Sequence, residues 1–166
     1  MRSEFDIQIT TKSMYNFLMY HAYKGTSGLL NILIGIGMIA YYFYARGGEG
    51  TNTWLFLFFG VLFLVYQPWT LYSRAVKQAK LNPVFKQPLT YVLTEDGIEV
   101  RQGESANQIT WNQVYTVREN GMSILLYTSN KNAFIWVKSQ LKDQESQVRE
   151  FLAKKVDAKK LKLKRG

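Results

Sequence analysis

Residues 25–45 and 50–73 are two runs, of 21 and 24 residues, without a single charged side chain. An α-helix needs about 20 residues to cross about 30 Å of hydrocarbon, so either run is long enough to span a bilayer. Core helices of soluble bundles keep a polar face, whereas "LLNILIGIGMIAYYFY" and "WLFLFFGVLFLVY" are apolar nearly all round. The sequence therefore predicts a transmembrane hairpin over 25–73, with spans at about 26–45 and 53–72. The mean hydropathy of −0.16 hides it, because the rest of the chain is polar and basic.

Aromatic side chains mark the two ends of the hairpin. Tyr41, Tyr42, Tyr44 and Trp54 gather at one interface, and Tyr66, Trp69 and Tyr72 at the other. The 24 residues before the first run include Glu4 and Asp6, and the run is too long for a cleaved leader, so the first helix is expected to stay. In the connecting "RGGEGTNT", Arg46 and Glu49 cancel, while Arg74, Lys77, Lys80 and Lys86 follow the second run. Lysine and arginine concentrate on the cytoplasmic side of bacterial membrane proteins, which puts both termini in the cytoplasm. The expected location is the bacterial cytoplasmic membrane.

Beyond Pro83 the pattern changes from continuous apolar to alternating, the mark of half-buried strands. Strands are predicted at 89–94, 98–102, 107–110, 114–119, 122–128 and 133–138. "EDG" and "ENG" place Gly97 and Gly121 at tight turns where positive φ is expected. A last amphipathic helix follows, with Asp143 as its N-cap and Val148, Phe151, Leu152 and Val156 on one face. At the other end, "EFDIQIT" alternates Phe5, Ile7 and Ile9 with polar partners and supplies a seventh strand. Thr10 or Thr11 then caps a helix through Tyr23 whose Met14, Phe17, Leu18 and His21 share a stripe. Four segments result: 1–24, packing with the cytoplasmic domain; the hairpin 25–73; a β-domain with its C-terminal helix over 74–156; and a basic tail, 157–166.

The stretch "YVLTEDGIEVRQGESANQITWNQVYTVRENGMSILLYTSNKNAFIWVKSQL" carries the Thr94-x-x-Gly97-Ile98 hairpin, Trp111 followed by Val114, an apolar strand ending at Tyr127, and a last strand leading to Lys138. In these features the chain resembles the C-terminal domain of the YcxB-like family of bacterial membrane proteins, over roughly residues 85 to 155. The resemblance implies a small antiparallel β-barrel of pleckstrin-homology-like type, capped by a C-terminal helix, and no known activity. Val137 stands where family members carry proline, so no role is transferred to Lys138. The fold class is accordingly an α+β membrane protein with a two-helix hairpin.

Catalytic chemistry finds little footing. There is no cysteine, and one histidine, His21, makes no cluster, so thiolate chemistry and His/Cys metal sites are excluded. Glu95, Asp96, Glu99, Glu104 and Glu119 fall in turns or on outward faces and read as solvated carboxylates. No phosphate loop or nucleophile elbow occurs. The reading is non-enzymatic, without cofactor or metal. Trp111, Tyr115, Tyr127, Phe134 and Trp136 are explained by strand alternation, and the cations of this +9 chain cluster at the membrane exit and in the tail rather than on a strand face. Nucleic acid is therefore not an expected partner.

Three residue sets remain. Asn31 and Gly35, one turn apart, and Gly60 in the second run suit close helix contact, either within the hairpin or in self-association as a homo-oligomer. Trp111, Val114, Phe151 and Leu152 are candidate domain core. Lys154, Lys155, Lys159, Lys160, Lys162, Lys164 and Arg165 are candidate contacts for anionic membrane lipid, each worth about 1 kcal/mol near such a surface. Removing 157–166 is expected to leave the fold intact. The expected role is a membrane-anchored binding or scaffold protein that meets lipid or a protein partner through its cytoplasmic domain. The alternative is an immunity-type antagonist with one dedicated toxin or assembly partner.

Overall fold

The computed structural model describes residues 2–48 and 52–163, and of Ser27 the backbone alone. The chain divides into two compact units, Met1–Phe17 with Val76–Gly166, and Leu18–Ala75. It mixes helix and sheet.

The charge-free runs form most of the helical unit, and α1 and the end of α3 extend beyond its bounds. α1 (Thr11–Lys24) opens at Thr10, whose hydroxyl accepts from the Ser13 N–H at 3.2 Å, so of the two threonines Thr10 is the cap. α2 (Thr26–Ala45) and α3 (Trp54–Leu81) are long and apolar enough to cross a membrane. α3 runs through Pro68 and eight residues beyond Ser73, because "RAVKQAKL" consists mostly of strong helix formers. It stops where Asn82 precedes Pro83: the Asn82 side chain accepts from the Val84 N–H at 3.1 Å, and a 3-10 turn follows.

The other unit holds two four-stranded sheets. In the first, the order is β1 (Ser3–Ile7), β2 (Leu89–Leu93), β3 (Gly97–Gln102), β4 (Ser105–Thr110). In the second it is β7 (Ala133–Val137), β6 (Ser123–Tyr127), β5 (Thr116–Glu119), β8 (Leu161–Lys162). The N-terminal strand is antiparallel to β2, from Ser3 opposite Leu93 to Ile7 opposite Leu89. The sheets do not close into the expected barrel. The free edge of β5 that closure onto β4 would use is taken by β8, which lies parallel to it with Val117 opposite Leu161. Between β4 and β5 the chain leaves the first sheet by a 3-10 turn, Trp111–Gln113, held by the Gln113 side chain accepting from the Thr110 N–H at 3.0 Å.

The core lies between inner faces of the two sheets. Trp136, fully buried, meets Phe5 edge-on at 5.3 Å and Tyr91 at 5.7 Å, and Tyr91 also meets Phe134. These aromatic pairs join β1 and β2 to β7. Burial pushes the Tyr91 phenol above its ordinary range.

Two turn expectations are corrected. Neither Gly97 nor Gly121 has positive φ; among the described residues the glycine that does is Gly103, at 55°, between β3 and β4. Gly97 is needed for space instead, since a Cβ there would stand 2.2 Å from the Ile109 carbonyl oxygen. At "ENG" the Asn120 side chain accepts from the Met122 and Ser123 N–H groups, which turns the chain without a left-handed residue. The last helix also differs. It begins as a short α4 (Lys138–Leu141), passes through a 3-10 turn, and resumes as α5 (Glu145–Lys155), so Asp143 lies inside the turn and caps nothing.

Candidate functional site

Alternation along β5 puts Val117 and Glu119 on one face, and both are buried. A carboxylate with 2% of its side chain exposed is costly unless paired. Here two cations reach it. Arg149 of α5 grips it in the bidentate fork geometry, at 3.0 Å to Oε2 and 2.7 Å to Oε1, and Lys138 at the start of α4 binds Oε1. Arg149 also holds Glu145 one turn away at 2.7 Å. Donation to Glu119, ahead of donation to Glu145, raises the Arg149 pKa further above its ordinary value. Two carboxylates and two cations thus make a neutral clasp between β5, α4 and α5. Glu119 was read above as a solvated carboxylate; burial on the Val117 face corrects that.

The candidate core residues Trp111, Val114, Phe151 and Leu152 are all buried. The Trp111 indole N–H donates to the Thr94 carbonyl at 3.1 Å, and the ring stacks on Phe151 at 6.0 Å. Val114 and Leu152 are fully buried. Tyr115 points outward and His21 is exposed.

The candidate lipid-contact cations separate. Lys155 pairs with Glu95, which holds that carboxyl down at about 2, and Lys154 pairs with Glu150 at 2.7 Å. The Lys160 ammonium donates to the Val114 carbonyl at 2.9 Å, while its own carbonyl accepts from Val117 N–H and the Thr116 hydroxyl. Among the described residues, Lys159 and Lys162 are exposed and in no ion pair. Lys164 and Arg165 lie outside the described residues. Because Lys160 and β8 are built into the second sheet, removing 157–166 is expected to cost about 1–3 kcal/mol of domain stability, by loss of the hydrogen bonds to β5. Urea unfolding of the truncated and full chains measures it. Lys159→Gln with Lys162→Gln is the cleaner charge test: each neutralisation should weaken binding to anionic vesicles by about 1 kcal/mol, with the urea midpoint unchanged.

In the helical unit, Asn31, Gly35 and Gly60 come together on one antiparallel seam. The Asn31 amide donates to the Gln67 side-chain carbonyl at 3.0 Å. A Cβ on Gly60 would stand 2.7 Å from Ile39 Cγ1 and 2.9 Å from the Gly35 carbonyl oxygen. Nearer the connecting loop, the Tyr41 and Phe56 rings meet at 4.6 Å. Gly60→Leu is therefore expected to spread the helices at a cost of about 1–3 kcal/mol. It should slow disulfide formation between Tyr41→Cys and Phe56→Cys. Gly37→Leu is the control, as nothing lies within 4 Å of a Cβ there.

The chain thus combines a neutral ion clasp inside a two-sheet unit with two helices long and apolar enough to cross a membrane. Residues 93–152 match the family model described as YcxB-like protein, so this segment of the chain is YcxB-like. The matched segment begins at the last residue of β2 and ends in α5, and it contains Glu119, Lys138, Glu145 and Arg149. No curated protein and no solved structure matches the chain.

Proposed function

We propose that the chain is a non-enzymatic, membrane-anchored binding or scaffold protein: α2 and α3 cross the bacterial cytoplasmic membrane, and both termini and the YcxB-like segment lie in the cytoplasm. One observation carries the membrane part. Only 11% of either apolar window is buried, whereas a soluble protein's core helix of that hydropathy would be mostly enclosed. Leu29, Leu33, Phe58, Val65 and Trp69 are all at least half exposed, and hydrocarbon is the solvent that suits them. The two-sheet unit with its C-terminal helix serves on this reading as an open, pleckstrin-homology-like binding module.

Single cysteines test the orientation, since the natural chain has none. An impermeant thiol reagent should label Gly48→Cys in intact cells and leave Glu104→Cys untouched. The reverse pattern overturns the orientation, and release of the protein from membranes by alkaline carbonate overturns the anchoring.

A protein partner is best sought beside β1. A groove of about 560 Å³ is lined there by Glu4, Phe5 and Asp6 and by residues 139–144. At its wall Lys142 has φ 49°, the one positive value for a non-glycine among the described residues, and such strain concentrates at recognition sites. The immunity-type alternative would fill this groove with one stoichiometric protein.

A further inference from the structure

On one side of the α2–α3 seam, Asn31, Leu62, Phe63, Tyr66, Gln67 and Thr70 line a cleft of about 470 Å³. Its chemistry is graded. Leu62 and Phe63 form an apolar floor, and the amides and hydroxyls form a rim toward the C-terminal end of α3. No lining residue is charged. At 1.5 Å per residue, Gln67 stands roughly 20 Å along α3 from Trp54, which brings the rim to the level of the aromatic belt of Tyr66, Trp69 and Tyr72.

The amide pair is not used up by the protein. One bond joins Asn31 to Gln67, leaving a carbonyl on Asn31 and N–H groups on both residues without a protein partner among the described residues. The Thr70 hydroxyl spends its proton on the Gln67 backbone carbonyl at 2.9 Å and keeps only acceptor capacity. Open amide groups at the edge of hydrocarbon are costly, and they suit a molecule that brings acceptors at that depth and an alkyl chain below it.

We propose that this cleft is a lipid site: an acyl chain of a glycerolipid lies over Leu62 and Phe63, and its ester carbonyl accepts a hydrogen bond from the free N–H of Gln67. The site rests on the membrane reading above. With no charged lining, it selects for the ester-linked chain and is indifferent to headgroup charge, unlike the lysines of the tail.

The test uses the full chain. Reconstituted in vesicles of phosphatidylethanolamine and phosphatidylglycerol containing a trace of phospholipid with a diazirine on one acyl chain, it should crosslink at residues 62–70 in preference to the rest of α2 and α3. Native mass spectrometry after detergent extraction should find one retained phospholipid per chain. Gln67→Met, which keeps side-chain length and loses the amide, should lower that occupancy about fivefold, the worth of one net hydrogen bond. Phe63→Trp, which fills the floor without touching the amides, should lower it as well. Crosslinks spread evenly around both helices would mean ordinary bilayer solvation and overturn the site. Absence of lipid crosslinks at 62–70, together with a disulfide-linked dimer of a Thr70→Cys variant under mild oxidation, would assign the amides to a second copy. Absence of lipid crosslinks on both helices, with carbonate-extractable protein, would overturn the membrane reading itself.

Discussion

Replacing Arg149 by methionine is expected to destabilise the two-sheet unit by about 3–5 kcal/mol, the usual cost of removing one partner from a buried ion pair. Glu119 would keep Lys138 but lose the fork that satisfies both its oxygens. Methionine retains most of the arginine stem's packing, so the loss reports the charge and its hydrogen bonds. Glu119→Met combined with Arg149→Met should recover much of the stability, because the buried carboxylate is then gone as well. Urea unfolding of the four members of this cycle, followed by Trp111 and Trp136 fluorescence, measures the coupling. A single Arg149→Met variant as stable as the parent would show that water already satisfies Glu119. A pronounced loss that the double variant does not recover would put the role of Arg149 in its stem instead. Glu145 offers an internal check: its removal leaves the Glu119 fork in place and should cost less than about 1 kcal/mol, as for other part-exposed helix pairs.

The clasp shows what kind of information a sequence holds in plain view and what it conceals. Val117 and Glu119 are two apart on a strand, so a shared face was readable from the alternation. That the face is an inner one depends on Arg149, thirty residues away on a helix whose start the sequence misplaced. The start was misplaced because Asp143 looks like a cap, while the chain actually enters the helix at Lys138 and interrupts it where Lys142 adopts φ 49°. The two apolar helices were legible for the opposite reason: length and absence of charge are local properties. Asn31, Gly35 and Gly60 could be seen as small or polar positions within them, but Gln67, the partner of Asn31, could not, since nothing in the sequence sets the register of two antiparallel helices to one residue. β8 was least legible. "LKLK" in a lysine-rich end reads as solvated, and its two-residue parallel pairing with β5 arises only from where α5 delivers the chain. The failure to foresee an open pair of sheets follows from that same strand.

Deleting residues 1–10 is expected to unfold the two-sheet unit outright while leaving α2 and α3 helical. The deleted segment carries Phe5 and Ile7 of β1 and Ile9 just beyond it, all buried, and burying each such side chain is worth about 1.5–3 kcal/mol. It also closes the edge of β2 through five paired positions. Beyond the strand, Gln8 exchanges hydrogen bonds with Gln140 of α4, its backbone N–H donating to the Gln140 side chain at 2.7 Å and its carbonyl accepting at 3.0 Å, and its own amide reaches the Phe85 carbonyl at 2.7 Å. Together these terms rival the about 5–15 kcal/mol by which a domain is stable at all. Phe5→Ala alone, which vacates the space against Trp136, should cost about 3–5 kcal/mol and leave a folded but weakened unit. Limited proteolysis of membrane-bound protein distinguishes the two variants: the deletion should expose β2 to β7 to rapid cleavage, and Phe5→Ala should do so only at raised temperature or in urea. Unchanged protease resistance after the deletion would mean that β2 holds the first sheet without its neighbour, and that the N-terminal strand is an addition to the fold rather than part of it.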